Sequence, residues 1–117
     1  MGDYMKSSIQ SVMSGISAFI DNEIVPLGAS MKSLDQFLFG MKIGIIRGKL
    51  EGMVKDFVMS DMAKAIQLVD DEGKVDIDVL YQSAMSSIKP ISFVEVAGIR
   101  LNENDITKLY NYIRDRS

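Results

Sequence analysis

Glycine recurs every fourth residue through the stretch FGMKIGIIRGKLEG, at Gly40, Gly44, Gly48 and Gly52. This row constrains the fold more than any other feature of the chain. A spacing of four keeps positions on one flank of a helix, drifting by about 40° per step. It also keeps them on one face of a strand. A strand here would show Met41, Ile43, Ile45, Arg47, Lys49 and Glu51 on one face, half apolar and half charged, over a length few strands reach. A helix instead aligns Phe39, Ile43, Ile46, Leu50, Met53, Val54 and Phe57 in one continuous stripe. The segment is predicted helical.

Four helical glycines cost about 1 kcal/mol each relative to alanine, against total stabilities of roughly 5–15 kcal/mol. Close approach of a second backbone, with its gain in dispersion contacts, would offset that cost, as it does for small-residue rows in membrane helices. The glycine row and the large apolar stripe occupy different faces. Phe37, Met41 and Ile45 border the row, so both sides of the helix need cover, as in a buried helix. Two occupants stand open: the first helix of the same chain, or another copy of the chain. A short domain with so long a helix, and the prevalence of two-fold homodimers, favour the second copy. The interaction residues are then Gly40, Met41, Gly44, Ile45, Gly48 and Gly52. A glycine-weakened hinge ranks last, because four evenly spaced positions exceed what a hinge requires. Both packing readings demand that another backbone lie against these glycines.

Met5, Ile9, Val12, Met13, Ile16, Phe19 and Ile20 predict a first helix from Asp3 to about Glu23, broken by Pro26 and Gly28. The second helix is expected to open near Ser30 or Ser33 and to bend near Ser60. It then continues through MSDMAKAIQLVDDEG, or restarts there with Ser60 or Asp61 as N-cap, to a stop at Gly73. KVD reads as a short extended piece. Asp76 is the expected N-cap of a helix with Ile77, Leu80, Tyr81, Ala84 and Ile88 on one face, ending before Pro90. ISFVEVAGIRL predicts a hairpin around Ala97 and Gly98. Asn102 and Asp105 have capping-box spacing, and open a last helix with Ile106, Leu109, Tyr110 and Ile113 on one side. The expected class is α+β, mostly α: two long N-terminal helices, the second glycine-striped, then a helix, a short β-hairpin and a C-terminal helix. Residues 1–117 form one domain, with 1–72 helical and 73–117 a small α+β part.

At 117 residues, 47% of them hydrophobic and 25% charged, the chain supports one core. It has no cysteine and no histidine, which removes thiol chemistry, zinc thiolate sites and the commonest general base. Residues 1–60 carry six acids and six bases, and 61–117 ten and seven, so no basic stripe for nucleic acid stands out. Arg100, Lys108, Arg114 and Arg116 read as solvated surface. A calcium loop fails on DDEGKVDID: with Gly73 at loop position six, Leu68 and Val79 fall where acids are required. Asp70, Asp71, Glu72, Asp76 and Asp78 instead suit a helix stop followed by an N-cap. Ser7, Ser8, Ser11, Ser14 and Ser17 lack an activating histidine and suit solvated helix faces. No catalytic, cofactor-binding or metal-ligating residue is assigned, and an enzyme is not expected.

MGDYMKSS lacks the basic-then-apolar order of a signal peptide, and Lys6 stands where a myristoylation start needs Ser or Thr. Phe37–Phe57, the most apolar window, is interrupted by six charges, Lys42, Arg47, Lys49, Glu51, Lys55 and Asp56, too many for a membrane span. A cytoplasmic setting is expected. Met41, Met53, Met59, Met62 and Met85 are expected to fill gaps in the core in preference to forming an adaptable binding face.

DEGKVDIDVLYQSAMSSI, ISFVEVAGIRLNENDI and TKLYNYI, in that order, resemble the last third of a kind of small uncharacterised protein found in bacterial phage and prophage clusters. The resemblance rests on the acidic turn, the helix opening Asp-Ile-Asp, the hairpin and the Leu-Tyr pair of the closing helix. It implies a phage-type setting, the phage particle included, and no activity or residue role. The expected function is a non-enzymatic structural or protein-interaction module, self-associating through the glycine-striped helix or binding another protein. A peripheral membrane-binding helix carrying Lys42, Arg47 and Lys49 is the alternative, and a small DNA-binding regulator comes third.

Overall fold

The computed structural model describes residues 6–96 and 98–116. Its chain is mostly helical, with two small antiparallel sheets of two strands each. A short strand β1 (Lys6–Ser7) leads into α1 (Ile9–Phe19), which Ser8 caps by accepting a hydrogen bond from the Ser11 amide at 3.1 Å. The helix expected from Asp3 therefore begins six residues later, and Met5 lies outside the described residues. Lys6–Ser7 pairs instead with β2 (Val75–Asp76), Lys6 opposite Asp76 and Ser7 opposite Val75.

α1 runs on through a π-helical turn, Ile20–Ile24, and a 3-10 turn, Val25–Gly28. Pro26 has no amide to donate to the preceding turn, which ends the regular ladder there. The second long helix, α2 (Ser33–Val58), closes before Ser60. Ser60 then accepts from the Ala63 amide and caps a short helix, α3 (Asp61–Ala65). The bend near Ser60 is present, but the helix does not reach Gly73. Gln67 adopts a positive φ of 56°, and the Leu68 amide donates back to Ala63 O at 2.9 Å. Leu68 is thereby fully buried, and Val69 bridges to Val75 across the turn that Asp70–Gly73 makes. Burying Leu68 beside an extended Val75 outweighs continuing a helix through an acidic surface run.

From Asp76 onward the elements fall where local signals put them. Asp76 accepts from the Val79 amide and caps α4 (Ile77–Ile88). β3 (Phe93–Val96) and β4 (Ile99–Asn102) pair in register from Val96–Ile99 out to Phe93–Asn102. Gly98 between them takes φ +86°, a conformation that favours glycine. α5 (Glu103–Arg114) opens on a reciprocal capping box between Asn102 and Asp105, both bonds 3.0 Å.

The core joins the two ends of the chain. Val12, Ile16, Phe19 and Ile20 of α1 are buried with Ile106, Leu109, Tyr110 and Ile113 of α5, and Leu80 and Ile88 of α4 complete the centre. α1 crosses α5 at Gly15, where a methyl group would sit 2.5 Å from the Ile113 Cα. α2 lies along this assembly with Phe39, Ile46 and Leu50 turned inward. Ile43, Val54 and Phe57 are half-buried against the core, whereas Met53 of the same predicted stripe faces outward.

Candidate functional site

α2 is fixed to the body along one face only. Besides its apolar stripe, Arg47 reaches the hydroxyl of Ser17 and the carboxylate of Asp21, the latter at 2.9 Å, tying α2 to α1 and its π turn. The opposite face has no cover among the described residues. Leu34, Phe37, Met41 and Ile45 are 69%, 65%, 60% and 52% exposed, and Leu38 is about half exposed. At roughly 100° per residue these five and Gly44, Gly48 and Gly52 share one outward face, while Gly40 falls at its margin. Together the large side chains expose on the order of 600 Å² of surface, the upper end of what a monomer shows in one patch.

Three of the four glycines lie on this outer face and the fourth, Gly40, at its edge. Among the described residues, and apart from its sequence neighbours and the helix's own backbone, a methyl group placed at Gly40, Gly44, Gly48 or Gly52 meets no atom within 4 Å. The expectation that α1 fills the glycine groove is therefore overturned, as is the expectation that a helix apolar on both sides is buried on both. α1 takes the other side of α2, because its own buried stripe is matched to α5. Close approach of backbones does occur in the chain, at Gly15 against Ile113, and Gly28 is held tightly under the ring of Phe39. Sequence reasoning missed both. Gly15 carried a usable signal, since Val12, Ile16 and Phe19 surround it on the buried face of α1.

The methionines are also corrected. Met41, Met53, Met59 and Met62 are at least half exposed, and among the described methionines Met85 and Met13 pack partly against the core. Branched aliphatic residues and Phe occupy the interior instead.

A second concavity lies on the inner side of α2, between its later turns and α4, the hairpin and α5. It encloses about 180 Å³ and is lined by apolar side chains, among them Leu50, Phe57, Ala84, Ile88, Val94 and Leu109, with Ser83, Ser87 and Tyr110 as its polar residues. No carboxylate or cationic side chain lines it, so it offers no acid–base pair.

Several of the remaining polar residues support structure. The Asp70 carboxylate accepts from the Glu72 and Lys74 amides, both at 2.9 Å, and shapes the acidic turn. The basic residues near the C-terminus are dispersed: Arg114 pairs with Asp78 at 3.0 Å, Lys108 with Glu23 at 3.3 Å, and Arg100 lies over the Phe93 ring. Of the serines expected on solvated faces, Ser7 is instead buried in β1 and Ser17 receives Arg47. No described helix is long and apolar enough to cross a membrane. No family model, curated protein or solved structure matches the chain.

Proposed function

We propose that the protein is a non-enzymatic structural or interaction module that self-associates through the outward face of α2, in an assembly of the phage type that the resemblance of its last third implies. One observation carries this reading. A row of glycines with open space above it runs through a solvent-facing stripe of Leu34, Phe37, Met41 and Ile45. The helix pays a propensity cost for the glycines, and no contact among the described residues returns it. A second backbone lying on Gly44 and Gly48 would.

The experiment is molar mass in solution, by light scattering across a wide concentration range. The wild-type chain should exceed the mass of one chain, and Gly48→Leu, which fills the groove without touching the inner face, should return it to that mass. A strict monomer at the highest concentration ends the proposal.

A bilayer is the alternative occupant, because Lys42 and Lys49 flank the same exposed stripe. Co-sedimentation with anionic vesicles by a chain that stays monomeric would favour it.

A further inference from the structure

Building on the self-association reading, we infer that two copies of α2 pair antiparallel about a two-fold axis at Met41. The large side chains of each helix's first half then seat over bare backbone in the second half of the other. The outward stripe is asymmetric in size. Before Met41 come Leu34, Phe37 and Leu38; after it come Gly44, Ile45, Gly48 and Gly52. A two-fold axis perpendicular to the helix sets a residue some steps before Met41 against the residue as many steps after it in the partner. Leu34 and Gly48 each lie seven positions from Met41, about 10 Å along the helix. Leu38 and Gly44 each lie three positions away, and Phe37 and Ile45 four. Lateral position decides which of these touch: Leu34 lies over the other copy's Gly48 near the midline, Phe37 shares its margin with the other copy's Gly44, and Leu38 shares the opposite margin with the other copy's Ile45. A parallel pair would stack Leu34 on Leu34 and leave Gly48 opposite Gly48, with bulk at one end and a gap at the other.

Charge agrees with the same register. Asp35 and Lys49 occupy one margin of the stripe, both exposed. In the antiparallel pair Asp35 of each copy falls about 3 Å along the axis from Lys49 of the other, within reach of a flexible side chain. Lys42 flanks the axis on this margin, and its long stem lets the two ammonium groups diverge into water. The helix dipoles oppose, which is the favourable arrangement. Two faces of this size approach the ~800 Å² per partner of a standard interface.

The chain has no cysteine, so single introduced thiols report the geometry directly. Met41→Cys should form a disulfide-linked dimer under mild oxidation. A mixture of Leu34→Cys and Gly48→Cys chains should link at least several-fold more than either alone. Helical content and melting temperature of each variant confirm folding, and wild-type mass is measured in parallel. An associated protein in which Gly48→Cys links to itself, or in which no linkage at Met41→Cys or in the mixture appears, overturns the antiparallel axis while leaving self-association standing. A monomeric wild type overturns both.

Discussion

Gly15 is the residue where backbone meets backbone. Its missing side chain lets α1 approach α5 until a methyl carbon would stand 2.5 Å from the Ile113 Cα and 2.8 Å from its nitrogen. Main-chain atoms inside a core cannot step aside as a side-chain end can. Gly15→Ala should therefore destabilise by about 1–3 kcal/mol, despite the better helix propensity of alanine. The melting temperature should fall by roughly 5–10 °C. Gly40→Ala, facing open space, should raise it slightly. Thermal denaturation of dilute protein checks the opposite signs, and equal shifts would refute the assigned crossing. Tyr110 is the other residue with a measurable signature. It is buried edge-on against Tyr81, ring centroids 5.3 Å apart, and burial pushes its hydroxyl pKa above the ordinary value. The native state thus holds Tyr110 neutral where the unfolded chain, near pH 10, ionises. The stability due to the neutral hydroxyl is complete below that pH and is lost as pH climbs toward the folded pKa. Urea midpoints should drop between pH 9 and pH 11 by more in the wild type than in Tyr110→Phe. Parallel curves would show the ring to be solvated.

Elements whose signals are local were legible before any coordinates. α4 opens at an Asp N-cap, α5 at a capping box, and the hairpin turns at Gly98; each signal lies within four residues of the feature it specifies. Elements set by distant partners were not. β1 exists because Lys6–Ser7 pairs with Val75–Asp76, and no property of MKSS announces that. α3 ends early because Leu68 has a place in a core assembled from remote segments. α2 shows both cases at once. Its helical period and inner stripe were readable, Met53 excepted, while the fate of its outer face depended on which helix α1 chose. The argument from glycine to close approach was sound as physics. For the row the one partner it offered within the chain, α1, packs elsewhere, and for Gly15 it was not applied. The site candidates Gly40, Met41, Gly44, Ile45, Gly48 and Gly52 are brought to one side of α2, with Gly52 half-buried and the others exposed. Phe37, which borders the row in the sequence, belongs beside them, as do Leu34 and Leu38, which only their exposure identifies.

At the scale of the molecule, the body measures 48 × 29 × 21 Å, and α2, about 39 Å long by its rise per residue, is a rod laid along it with half its circumference wet. Its stability is split: the inner stripe and Arg47 hold it to the core, while the outer stripe contributes nothing in a lone chain. Under the proposed association that outer contribution arrives by mass action, because a partner that binds only the folded chain stabilises it in proportion to the logarithm of its concentration. The melting temperature should then rise with protein concentration, by a few degrees for each tenfold increase in a domain of this size. Phe37→Glu and Leu34→Glu replace exposed side chains, so at high dilution both variants should melt close to the wild type. At high concentration they should fall behind it, since each would set a carboxylate against apolar surface in the partner. Calorimetry over a hundredfold range of concentration reads this directly. A wild-type melting temperature that does not move, coinciding with both variants throughout, would mean that the outer face of α2 has no second copy to meet.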